Sequence, residues 1–182
     1  MKKFKCIAKH ATLSGLLTAL VLPLAAHAHV TLERGPVEAG SWGKLTLRVP
    51  EGCAGSPTTA ITVELSDDFY MPRPMPKGGY KLEVKREKLA KPIESHGDVI
   101  THVIRSATWS GEPLPDDFYD EFVVFTRMPL AAGKYPVKVS QVCVKGRMDW
   151  HDVAKPGQAR RELKFPAPEL TVIGKPESAA GK

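Results

Sequence analysis

Apolar and polar residues alternate with a period of two along much of the chain. In residues 44–49, Leu45, Leu47 and Val49 fall on one face and Lys44, Thr46 and Arg48 on the other. Residues 59–65 repeat the pattern with Ile61, Val63 and Leu65 inward, and residues 80–84 form a third such run. Side chains of a strand point alternately to its two faces, so these runs predict half-buried strands. Residues 98–109 are long and β-branched. Residues 119–128 contain Phe122-Val123-Val124-Phe125, apolar on both faces, which predicts a central strand. In residues 135–144, Tyr135, Val137 and Val139 alternate with Lys138 and Ser140, and the same phase puts Cys143 inward. Residues 163–165 and 170–173 read as closing strands.

The connections are rich in turn residues. Residues 71–79 hold Pro72, Pro74, Pro76, Gly78 and Gly79. Proline lacks the amide donor and fixes φ, which excludes a helix or a central strand there. Residues 109–116, with Gly111, Pro113 and Pro115, read as another loop. No stretch carries an amphipathic helix of ten residues. Many short strands with frequent turns predict an all-β sandwich. Residues 174–182 read as a disordered tail. No internal repeat, phosphate-binding glycine loop, Gly-x-Ser-x-Gly elbow or Cys-x-x-Cys pair occurs.

The first 28 residues change how the rest is read. Lys2, Lys3 and Lys5 precede an apolar run that ends in Ala26-His27-Ala28, a small-x-small triplet of the kind signal peptidase cleaves. The run is short for a retained transmembrane anchor, which needs about 20 apolar residues. No cysteine follows it, which argues against lipoprotein processing. Residues 1–28 are therefore expected to be a signal peptide. The product would start at His29, reside in the periplasm or cell envelope, and meet the membrane only in transit. Four of the 26 basic residues (Lys2, Lys3, Lys5 and Lys9) leave with the signal, so 22 remain against 20 acids, a net charge of about +2. No basic stripe points to nucleic acid. Cys6 leaves too. Cys53 and Cys143 remain, and two cysteines in an exported chain predict one disulfide, the alternative being two buried thiols.

Three residues stand out for chemistry. His29, once N-terminal, carries an amine and an imidazole that can close a chelate ring on one metal ion. Cu(II) favours such nitrogen and oxygen ligands. The alternative is a histidine that happens to follow the cleavage site. Glu121 shares its face with Val123 and Phe125. A carboxylate facing a sandwich interior is costly unless paired or metal-bound, and the competing reading is a rim glutamate paired with Lys or Arg. Trp150 reads as a core tryptophan or as an aromatic cover over a metal. His96, His102 and His151 lack metal-ligand spacing. Met71 and Met75 are soft donors that more often fill gaps.

Several motifs, in order, resemble the YcnI-like copper-binding family: His29-Val30-Thr31-Leu32, Ala39-Gly40-Ser41-Trp42, Arg48-Val49-Pro50 with Gly52-Cys53, Pro74-Met75-Pro76-Lys77, Thr108-Trp109-Ser110-Gly111, Leu114-Pro115-Asp116 and Tyr119-Asp120-Glu121-Phe122. The resemblance runs over residues 29–173. It implies an immunoglobulin-like antiparallel β-sandwich and one Cu(II) in a mono-histidine brace, with His29 and Glu121 as ligands. A tryptophan matching Trp150 would pack against the metal. It also implies a non-enzymatic role in copper homeostasis alongside periplasmic copper chaperones or copper-transport proteins. The stretch from Val144 to Trp150 departs from the family, which usually has an acidic residue and Gly after the cysteine. A rival reading is a copper-dependent oxidative enzyme, whose brace would need a second histidine.

Overall fold

The structure, a computed structural model, describes residues 29–175 apart from Arg34 and His96. The expected signal peptide, His96 and nearly all of the expected tail lie outside the described residues. Twelve strands account for the regular structure: β1 (Thr31–Leu32), β2 (Val37–Glu38), β3 (Trp42–Val49), β4 (Thr58–Glu64), β5 (Tyr70–Pro74), β6 (Tyr80–Ser95), β7 (Asp98–Leu114), β8 (Asp120–Arg127), β9 (Gly133–Pro136), β10 (Lys138–Cys143), β11 (Arg147–Trp150) and β12 (Glu169–Ile173). The one helical element among the described residues is a single 3-10 turn, Arg160–Glu162.

Two antiparallel sheets face each other, ordered β1-β3-β8-β5 and β11-β10-β4-β7-β6. A small third sheet, β2-β12-β9, includes one parallel pair, β2 with β12. The alternation seen in the sequence builds the core. Leu45, Leu47 and Val49 of β3 and Phe122 and Val124 of β8 meet Ile61 and Val63 of β4, Trp109 of β7, and Val139 of β10 in one buried cluster. Trp109 and Phe122 pack with ring centroids 5.5 Å apart, and the indole donates to the Met75 carbonyl at 2.9 Å. Trp109 therefore fills the interior without leaving its N–H unmade.

The expected disulfide is present. Cys53 and Cys143 are bonded, with Cα atoms 6.0 Å apart. Cys143 ends β10, whereas Cys53 lies in the loop after β3, in an isolated bridge with Ser56. The loop needs glycine just before it. A Cβ on Gly52 would sit 2.0 Å from the Ser56 carbonyl oxygen, and the Gly52 amide donates to Asp116 at 2.9 Å.

Four expectations are corrected. The third run continues as the 16-residue β6, because its polar later half pairs with β7 rather than with the core. β7 runs through Gly111 and Pro113 to Leu114; Thr58 pairs with Leu114 across an irregularity in the β4–β7 register, so the turn residues bend the strand without ending it. Residues 163–165 form no strand; only Pro166 makes a bridge, with Asp152. The fourth correction is the face of Glu121. On β8 the inward residues are Phe122, Val124 and Thr126, while Glu121, Val123 and Phe125 point out. The alternation is as read, but the apolar outer face is not interior: Phe125 is 41% exposed and stacks on Trp42.

The sheet edges differ in character. β1 and β11 are short. β5 carries Pro72 and Pro74. β6 carries Lys85, Lys88, Lys91 and Pro92 and has two register irregularities against β7.

Candidate metal centre

β1 and β11 are edge strands of the two facing sheets, and His29 reaches across between them. Its ring stands edge-on to Trp150, with centroids 5.4 Å apart. Val30 is 1% exposed and anchors the residues before β1 in the core, while β1 pairs with β3 through Thr31 opposite Arg48 and Leu32 opposite Leu47. His29 itself stays exposed. The first residue after the Ala-His-Ala boundary is thus held on one side and open on the other.

Trp150 is fixed from several directions. It is an inward residue of β11 and is 1% exposed. Its Nε1 donates to Gln141 Oε1 at 3.2 Å, and Phe165 stands edge-on at 5.5 Å. Gln141 is buried and its amide nitrogen donates to the Glu51 carbonyl at 2.7 Å and to Thr58 Oγ1 at 2.8 Å. A buried amide with its donors and acceptor used is rigid, so Gln141 sets the orientation of the indole that meets His29. Sequence reasoning passed over Gln141. The signal was available as a polar residue at an inward position in the series Val137, Val139, Gln141, Cys143.

Beside Trp150, Asp149 and His151 point the other way. Ser140 Oγ donates to Asp149 Oδ1 at 2.6 Å and lies 3.2 Å from His151 Nε2. Arg147 Nε donates to both Asp149 oxygens. The Ser140 hydrogen bond lowers the Asp149 carboxyl from its ordinary value; burial opposes it, and Arg147 adds to the lowering.

Glu121 sits on the outer face of the first sheet. The register runs Thr31–Arg48–Glu121 across β1, β3 and β8, so Glu121 is two strands from β1, about 10 Å between strand axes. Arg48 stands between acids, with Nη2 3.2 Å from Glu33 and Nε 3.6 Å from Glu121. Tyr119 hydrogen-bonds Glu121, and that bond pushes its phenol up. Glu121 is therefore a partly exposed carboxylate with an arginine neighbour, as in the rim reading. The next residue, Asp120, turns to Lys77 at 2.6 Å and Tyr80 at 3.0 Å.

The structure brings His29 and Trp150 into contact, and it places Glu121 on the sheet that β1 joins, with Arg48 between. The other candidates lie elsewhere. His102 is on β7, its Nδ1 2.9 Å from Thr101 Oγ1. Met71 lines the same shallow groove as His102, beside Arg73 and Arg86, whose charges oppose a cation. Met75 is 46% exposed. Among the described residues no three His, Cys, Asp or Glu side chains gather as a metal cluster. A brace would need only two such side chains, the third donor being an amine. An imidazole with one open side is a donor that suits a borderline cation, whereas the Glu121 carboxylate would have to exchange its loose contact with Arg48 for the metal.

The fold and this site together define an immunoglobulin-like, disulfide-stapled β-sandwich in which a histidine just before the first strand is set against a buried tryptophan. The chain belongs to the family described as "Domain of unknown function (DUF1775)", which matches residues 29–172. A solved structure titled "Crystal structure of an uncharacterized protein from Nocardia farcinica reveals an immunoglobulin-like fold" is similar over 80% of this chain and 98% of its own, with a TM-score of 0.58 and 24% identity. That likeness concerns the fold. None of the curated proteins compared is similar to this chain.

Proposed function

We propose that this chain is an exported copper-binding protein, a periplasmic or envelope chaperone or store that holds Cu(II) in an open, exchangeable site. The observation that carries the reading is the seat of His29. Val30 is buried, β1 is paired, and the imidazole rests on Trp150, so a free α-amine at this position would be held beside its own imidazole. Residues 1–28 are read as a cleaved signal, in keeping with a family match that begins at His29. When bound, copper would supply a Lewis-acidic centre with ligand positions open to exchange. His29 would give amine and Nδ1, and Glu121 a carboxylate. Trp150 would shield one side from water. Arg48 now neutralises Glu121, so capture exchanges a guanidinium for the cation, and release reverses it. The partners are copper chaperones or transport proteins of the same compartment, to which an incomplete ligand set can pass its ion.

An oxidative enzyme would need a second histidine at the copper. Of the described candidates, His151 faces Ser140 and His102 faces Thr101, which favours the carrier.

The test is an equilibrium Cu(II) titration of the chain starting at His29 against the same chain with Ala28 retained. The retained residue turns the amine into an amide, a far poorer donor. The extended chain should bind much more weakly, with a changed spin-resonance spectrum. Equal affinity and equal spectra would sink the brace.

A further inference from the structure

β4 pairs with β7 only from Ser106 onward, so the earlier part of β7 and the later part of β6 form a two-stranded arm beyond the sandwich. The arm lies at the opposite edge of its sheet from β11, away from His29. Under it sits a charge the fold has not fully paired. Arg105 occupies an inward position of β7, in the series Val103, Arg105, Ala107, Trp109, and is 8% exposed. Its Nη1 donates to the carbonyls of Ser66 at 3.2 Å and Phe69 at 2.8 Å, which ties the guanidinium to the backbone. Nη2 meets Asp67 at 2.9 Å. Nε–H is buried and has no partner among the described residues.

A guanidinium presents Nε and Nη2 along one edge, spaced for the two oxygens of a single carboxylate. Here one oxygen of Asp67 uses Nη2 and nothing uses Nε. The Asp67 side chain is 94% exposed, so it trades this contact for water at little cost. The guanidinium cannot follow it, because Nη1 is anchored. A buried donor without an acceptor is unfavourable, and an incoming anion would relieve it.

The space for such an anion exists. A cleft of about 480 Å³ lies between the arm and the turn before β5, with Arg105 and Asp67 in its wall. That volume is in the range of small-molecule sites. Leu89, Ile93 and Val103 supply an apolar wall, and Lys88 and Lys91 also line it. Asp67 and Glu87 line this cleft too, but against three cations, Lys88, Lys91 and Arg105; a second cleft at Arg105 adds Glu64 to the same two acids and has only Lys85 and Arg105 against them, which disfavours an anion there.

We propose that this cleft binds a small amphipathic carboxylate, both oxygens on Nε and Nη2 of Arg105 and the chain along Leu89, Ile93 and Val103. Asp67 is the internal placeholder that the ligand displaces.

Hexanoate is the probe, titrated into the chain that starts at His29 while the arginine Nε–H resonances are followed by NMR. Saturable binding should shift the protected Nε–H of Arg105. Asp67→Asn, a change on an exposed side chain, should tighten hexanoate binding about threefold or more by removing the competitor. Leu89→Asn, on the arm, should weaken it roughly fivefold through lost apolar contact. Inorganic phosphate and 1-hexanol separate head from tail, and each should bind more weakly than hexanoate. No saturable shift, no effect of Asp67→Asn, hexanol binding as well as hexanoate, or phosphate binding better would each overturn the proposal.

Discussion

Glu121 and Arg48 make a pair whose two halves should act in opposite directions. Glu121→Gln keeps the shape and removes the anion, so copper affinity should fall by tenfold or more, about the worth of one charged ligand contact. Arg48→Gln frees the carboxylate from its competitor, at 3.6 Å a loose one, and should tighten binding a few-fold. Calorimetry on both variants reads the contrast; a fall in both would mean that Arg48 positions Glu121. Tyr80 offers a prediction independent of copper. Burial, then the hydrogen bond to Asp120, push its phenol to about 12. A folded pKa above the unfolded value of about 10 means the stabilisation is complete below pH 10 and is lost as pH rises toward 12. Tyr80→Phe should cost about 1 kcal/mol at neutral pH, and the gap between variant and wild type should close across that alkaline window. An unchanged gap at pH 12 would contradict the assignment.

Among the elements, the disulfide between the loop after β3 and the end of β10 closes 90 residues. Replacing both cysteines with serine should lower stability by about 2–5 kcal/mol, measured by denaturant unfolding, and thiol counting of the unreduced protein should find none free. This staple was legible from two cysteines and an inward phase, and so were β3, β4, β8 and β10, whose core-facing apolar residues recur at a period of two even though Thr46 and Ser140 on the other faces are also buried. The misreadings share one cause. Alternation says which residues share a face but not which face meets the core, so Val123 and Phe125 drew Glu121 inward when that face is the outer one, where Phe125 stacks on an exposed Trp42. The arm of β6 and β7 was half seen, because strands that pair only with each other bury too little to leave an apolar pattern. His29, Glu121 and Trp150 could be named as candidates, but the Gln141 clamp and the Arg48 neighbour depend on register between strands far apart in sequence.

For the molecule as a whole, the proposed site adds nothing to the core, which predicts a separation between fold and function. Metal-free chains with and without Ala28 should melt within a degree or two of each other. At free Cu(II) 100 times the dissociation constant, the cleaved chain should gain about 2.7 kcal/mol and the extended one little. Calorimetric melting with and without copper measures both. Equal stabilisation of both chains would move the metal away from the terminus.

The edges described above have a consequence for how this domain behaves in company. An open strand edge is a template on which other chains can build amyloid-like ribbons. Here β1 and β11 are too short to seed one, prolines interrupt β5, and β6 meets an incoming strand with lysines, a proline and broken register. Beside other chains that are still unfolded, the sandwich thus carries its own protection against fibre growth, written into the edge strands of its two facing sheets.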